Sequence, residues 1–149
     1  MPGEIGYEKV AMNSAAALAE IMGFSPDRID DLRTAVGEAC LNAVEHGNRC
    51  RANIKVLVTL RTQDGELCVA IQDRGSHAII APSRPSLDEK IRGNDRARGW
   101  GMYLIENLVD EMWYEHGSTG GNTVYLLFRL DPPDLPDLDS ERASSEDQR

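Results

Sequence analysis

The stretch from Ala35 to Gly47, A-V-G-E-A-C-L-N-A-V-E-H-G, restricts the folds open to this chain more than any other. It closes a helical pattern that opens at Ser25-Pro26, an N-cap followed by a proline at the first helical position, with Asp27, Asp30 and Asp31 making the start acidic. The pattern predicts a helix from Pro26 to about His46, ending at Gly47 as its C-terminal cap. At about 100° per residue, Ile29, Leu32, Val36, Ala39, Cys40 and Ala43 fall on one stripe, so the helix must lie on an apolar layer. Glu38 and Asn42, four residues apart, share a face roughly opposite that stripe. On spacing alone this face reads as a solvated exterior.

The rest of the chain supplies the layer. Val10, Ala11, Ala15, Leu18, Ala19 and Met22 recur at helical spacing between Tyr7 and Met22, and Gly23 caps that helix. From Asn53 to Arg61, Ile54, Val56, Val58 and Leu60 alternate with Lys55, Thr59 and Arg61, the pattern of a half-buried strand. Asp64-Gly65 is a hairpin turn, and Glu66 to Gln72 resumes the alternation antiparallel to the first strand. After Gly99-Trp100-Gly101, the apolar residues Met102, Ile105, Leu108 and Val109 mark a third helix. Met112–His116 and Asn122–Leu130 read as strands joined by a tight turn at S-T-G-G. The elements define a two-layer α/β sandwich, with helices on one face of a mixed, mostly antiparallel sheet.

Length and composition exclude several classes of function. One domain of residues 1–130 fits within 149 residues, and two ordinary ones do not. Residues 131–149 carry three prolines, many acids and almost no large apolar side chains, and are expected to be an acidic disordered tail. A net charge of −9 argues against direct nucleic-acid binding, which needs clustered Lys and Arg. Cys40, Cys50 and Cys68 show neither disulfide-framework nor zinc spacing, consistent with reduced thiols in a cytoplasmic protein. No apolar run is long enough to span a membrane, and M-P-G-E-I-G is not a signal sequence.

Three glycine-bearing junctions stand at the ends of elements: Asp73-Arg74-Gly75, Gly99-Trp100-Gly101 and Gly120-Gly121-Asn122-Thr123. Each taken singly serves a turn. Gly99 and Gly101 at a helix start also offer bare amide donors and the positive end of a dipole, which suits an anion. No Gly-Lys-Ser/Thr follows them, and no strand immediately precedes them, so neither the phosphate-loop nor the dinucleotide motif applies. His77 and His116 have no ligand-like spacing, and His46 sits where a helix-end role suits it.

In combination, E-x-x-x-N-x-x-x-H on a helix, D-x-G after a strand, G-x-G at a helix start and G-N-T on a closing strand resemble the GHKL (histidine kinase-like) ATPases. D-D-L-R-T-A-V-G-E-A-C-L-N-A-V-E-H-G and R-G-W-G-M-Y-L-I-E-N-L-V-D-E-M resemble, within that superfamily, the small bacterial anti-sigma factor serine/threonine kinases, over approximately residues 8 to 130. The resemblance implies the Bergerat ATP-binding fold, with ATP and Mg²⁺ bound. It gives Glu38 the role of general base and Asn42 that of Mg²⁺ ligand. Asp73 accepts from the adenine amino group, Gly75 lets the backbone approach the base, and Thr123 assists Asp73. Gly99 and Gly101 lie at the phosphates, and residues 76–98 form an ATP lid in which Arg92, Arg96 and Arg98 are candidates for phosphate contact.

The implied activity is phosphorylation of Ser or Thr on an anti-sigma factor antagonist protein, coupled to binding of a sigma factor. A homodimer is among the assemblies the resemblance allows. The alternatives are a nucleotide-binding switch without catalysis and a serine kinase that activates a signalling scaffold. The sequence departs from the family pattern at His77, where a second glycine is usual, at Arg98, another usual glycine, and in starting almost at the first helix, where a strand is usual.

Overall fold

The computed structural model describes residues 1–75, 97–118 and 120–130. Residues 76–96 of the lid expected over 76–98, with Arg92 and Arg96, and the expected tail over 131–149 lie outside these residues, while residues 97 and 98 open a helix. Helix α1 spans Glu8–Met22 and α2 spans Pro26–Asn42, followed by a π-helical turn over Ala43–Gly47. Strands β1 (Leu57–Gln63) and β2 (Glu66–Gln72) form the hairpin, with Asp64 and Gly65 both at positive φ, as the favoured two-residue turn requires. Helix α3 covers Ala97–Leu108, β3 Glu111–His116 and β4 Asn122–Arg129.

The sheet order is β1-β2-β4-β3, and among the described residues every pairing is antiparallel. Alternation decides which side the helices cover. Leu67, Val69 and Ile71 on β2 and Val124, Leu126 and Phe128 on β4 are buried, and they meet Leu32, Val36 and Cys40 of α2 and Ile105 of α3 in one core. Helix α1 offers that core Ala11, Ala15, Ala16 and Ala19, small side chains that let it lie close against α2.

The position of α3 is fixed from α2. Arg28, in the first turns of α2, donates to the Leu108 carbonyl at 2.8 Å, pairs with Asp110, and lies 5.4 Å above the Phe128 ring centroid. A guanidinium satisfies an exposed helix-end carbonyl, a carboxylate and an aromatic face at once because it is planar and carries five donors. Asp110 also accepts from the Arg129 amide at 2.7 Å, which ties the end of α3 to β4.

Three boundaries depart from expectation, each for a local reason. Strand β1 starts at Leu57 rather than Asn53, because the preceding backbone has other partners. The Ile54 amide donates to Arg51 O, and Val56 exchanges bonds with Met1, its oxygen accepting from the terminal amine at 2.8 Å and its amide donating to Met1 O at 3.1 Å. Helix α3 starts at Ala97, so Gly99 and Gly101 lie within its first turns rather than ahead of it. The end of α2 is the third. Asn48 N donates to Ala43 O at 2.8 Å and Cys50 N to Val44 O at 2.8 Å, a widened ladder that stops at the left-handed Arg49 and Cys50. Gly47 therefore does not end the helix through a left-handed conformation, and its lack of a side chain has another use.

Candidate active site

Helix α2 presents Glu38 and Asn42 half-buried on the side facing the head of α3. Gly101 of α3 meets them there. A Cβ at Gly101 would sit 2.9 Å from Glu38 Oε2 and 3.5 Å from Asn42 Nδ2, so the backbone of α3 approaches both polar groups through a position that must stay small. Asn42 Nδ2 donates to Met102 Sδ at 3.2 Å, so the amide oxygen is the atom of this side chain that could hold a cation. Gly99 lies among the first four residues of α3, whose amides have no partner within the helix. Arg98 lies in the same turn.

The second half of the site is assembled by the π-turn. Gly47 stands against Asp73, where a Cβ would fall 2.3 Å from Oδ2 and 2.4 Å from Cγ. Asp73, only 5% exposed, follows β2, and its Oδ1 accepts from Gly75 N at 2.7 Å, Asn122 N at 3.0 Å and Asn122 Nδ2 at 3.2 Å. A Cβ at Gly75 would meet Gly47 O at 2.8 Å, and Gly121, at φ +89°, has Asp73 O where its own Cβ would be, 2.6 Å away. Glycines from three separate junctions thus pack backbone against backbone around one buried carboxylate. Any side chain at Gly121 would meet both a collision and a left-handed conformation.

Of the expected ATP and Mg²⁺ residues that are described, all but one are brought together. Glu38, Asn42, Gly99 and Gly101 form one end, and Asp73 and Gly75 form the other. Thr123 does not join them. In the register Gln72↔Thr123 it lies on the open face of the sheet, lining a shallow groove with Thr59, Arg61, Ala70 and Tyr125. Asn122, one residue earlier and 4% exposed, takes the place beside Asp73. The period of two along β4 makes the difference, since neighbouring residues point to opposite faces.

Sequence reasoning also passed over Asn48, which is fully buried. Its Oδ1 accepts from Arg74 N at 2.9 Å, while Nδ2 reaches Ile54 O and Lys55 O, each at 3.4 Å. One amide side chain thereby joins the end of the π-turn, the strand-entry loop and the Asp73-Gly75 segment. The signal available in the sequence was a polar residue following H-G with no helical periodicity to place it. Asn48→Ala removes a buried donor and acceptor without offering substitutes, and a loss of about 1–3 kcal/mol in unfolding free energy is expected. Denaturant unfolding of the two proteins without ligand checks it.

Cys40 lies on the core stripe of α2, below the site. Burial, and secondarily the negative charge of Glu8, push its thiol up to about 12, so it stays protonated and takes no part as a nucleophile. Among the described residues no three His, Cys, Asp or Glu side chains gather to hold a metal ion. A cation at Asn42 would share its coordination with oxygens of a ligand, the habit of Mg²⁺ in phosphate sites. The small Gly101 position, with an amide oxygen and a carboxylate beside it, fits that use.

A helix layer on one side of an antiparallel sheet, with a carboxylate and an amide at the head of α3 and a glycine-lined aspartate at the strand ends, defines a nucleotide-binding domain of the histidine kinase-like ATPase class. The family described as Histidine kinase-like ATPase domain matches residues 2–128, and the chain belongs to that family. It is 31% identical to the serine-protein kinase RsbW of Bacillus subtilis over 137 residues, covering 85% of this chain and 82% of that protein. It is 27% identical to the serine-protein kinase RsbW of Listeria innocua over 132 residues, covering 85% and 84%. Among solved structures, that of the RsbU and RsbW domains of Rv1364c from Mycobacterium tuberculosis superposes with a TM-score of 0.59 at 26% identity, over 89% of this chain and 32% of that one. The kinship is to protein kinases within an ATP-binding family. No helix among the described residues is long and apolar enough to cross a membrane.

Proposed function

We propose that this protein kinase transfers the γ-phosphoryl group of Mg·ATP to a serine or threonine of a small anti-sigma factor antagonist, and that it holds a sigma factor when the antagonist is absent. The observation that carries the catalytic half is the convergence of Glu38 and Asn42 on Gly101, on the same helix whose final turn reaches Asp73. The base of the nucleotide would lie at Asp73 and its phosphates at the head of α3, with Gly99 and Gly101 admitting close approach and the first-turn amides donating to phosphate oxygens. Asn42 would hold Mg²⁺ through Oδ1, and the ion supplies charge neutralisation on the phosphates when bound.

Phosphoryl transfer passes through a loose transition state, so positioning and electrostatics supply most of the rate enhancement. Glu38 then orients the acceptor hydroxyl and takes its proton as the new P–O bond forms. A carboxylate serves for this because the proton leaves late. The kinship with serine-protein kinases supports a hydroxyl acceptor, and the antagonist and sigma factor enter through the motif resemblance to the anti-sigma factor kinases.

Asn42→Ala is expected to weaken ATP binding about 10-fold or more in Mg²⁺, the equivalent of losing one charge-assisted contact, and to leave binding in chelator unchanged. Calorimetric titration in the two buffers tests the metal assignment, and equal losses in both would overturn it. Co-purification from the native host followed by mass spectrometry tests the partner assignment. A sigma factor together with a small antagonist is the expected result, and a signalling scaffold in their place would refute it.

A further inference from the structure

Asp73 is clamped by Asn122 through both main chain and side chain: Asp73 N donates to Asn122 O at 2.9 Å, while Asn122 N and Nδ2 donate to Asp73 Oδ1 at 3.0 and 3.2 Å. A carboxylate accepts hydrogen bonds and donates none, so the amide of Asn122 can face it only with the nitrogen. The amide oxygen must then point the other way, and there it lies 2.9 Å from Nδ1 of His116. An amide oxygen is likewise an acceptor, which places the imidazole proton on Nδ1. His116 and Asn122 are direct partners at the end of the β3–β4 ladder, so the sheet register itself holds the ring in reach.

The polarity of this chain has a consequence at its inner end. Three donors converge on Oδ1 of Asp73, whereas Oδ2 has the longer 3.4 Å approach from Asn122 Nδ2 and faces the side-chain-free Gly47. Oδ2 is therefore the less tightly held oxygen, and its direction depends on how firmly Asn122 holds its neighbour.

We infer that His116 is a positioning residue for base recognition: by donating to Asn122 Oδ1 it fixes the amide that aims Asp73 Oδ2 at the exocyclic amine of adenine. The inference rests on the reading of Asp73 as the adenine acceptor. It adds that selection of a 6-amino over a 6-oxo purine depends on a histidine one strand away that does not touch the nucleotide. Replacement by leucine removes the donor. Glutamine, whose amide can donate from a similar distance, replaces it.

The test is equilibrium binding of ATP and of ITP, in which a carbonyl replaces the 6-amino group, to the wild-type chain, His116→Leu and His116→Gln. Wild type binds ATP more tightly than ITP. His116→Leu loses about three- to tenfold in ATP affinity with ITP affinity unchanged, the scale of one net hydrogen bond, and His116→Gln stays within about twofold of wild type. Equal falls for ATP and ITP in His116→Leu, or a wild-type ATP preference in that variant, would overturn the role of His116 and leave the reading of Asp73 standing. A wild-type chain that binds ITP as tightly as ATP would instead remove the adenine reading itself.

Discussion

Glu38→Gln is expected to lower the rate of phosphoryl transfer by about two to four orders of magnitude, the usual contribution of a positioned general base. Affinity for ATP should change little. Glutamine keeps the volume and planarity of the side chain beside Gly101, where a Cβ would already crowd it, so the head of α3 need not move. What the substitution removes is the acceptor for the hydroxyl proton. Single-turnover transfer measured beside an ATP titration separates the two effects, and a variant that transfers at the wild-type rate would deny Glu38 its role. A fall in ATP affinity large enough to account for the whole loss would place Glu38 in binding rather than in chemistry.

Gly47→Ala is expected to weaken ATP binding by about 30- to 100-fold, roughly what is lost with a hydrogen bond to a charged group in a buried setting. The methyl would enter at 2.3 Å from Asp73 Oδ2 and 2.5 Å from Asp73 Cβ. Asp73 cannot turn aside cheaply, because Gly75 N and Asn122 hold its other oxygen. The backbone conformation of Gly47 suits alanine, so the effect isolates space from strain. Comparing nucleotide affinity with thermal unfolding of the ligand-free proteins distinguishes a displaced carboxylate from a damaged fold. Wild-type affinity in the alanine variant would contradict the packing of the π-turn on Asp73.

The architecture was legible because its signals are periodic. The stripe along α2, the alternation of β1 and β2 about Asp64-Gly65 and the apolar run of β4 each bury the side that their spacing implies. The polar face of α2 was legible only as a pattern. Glu38 and Asn42 are four residues apart in any helix, and nothing local distinguishes a floor from an exterior. Tertiary packing does so, by bringing Gly101 from another element to within contact of both.

The residues that escaped are those whose roles depend on non-local hydrogen bonds. Asn48 and His116 carry no periodicity, and their partners lie on segments distant in the chain or across a strand pair. Gly47 was placed correctly at the end of α2 and given the wrong reason, since a widened π-turn and a close approach are indistinguishable in sequence from a capping glycine. At Thr123 the misplacement by one residue carried the side chain to the opposite face, and Asn122 inherited the contact with Asp73.

The central claim is that the site performs phosphoryl transfer to a protein hydroxyl, and the most direct measurement follows the γ-phosphoryl group. The purified chain is incubated with Mg²⁺, γ-labelled ATP and the small antagonist recovered by co-purification, and the label is traced by mass spectrometry. The account predicts phosphoserine or phosphothreonine on the antagonist, formed by the wild-type chain and not by Glu38→Gln. Release of the label as free phosphate, with the antagonist unmodified, would contradict it.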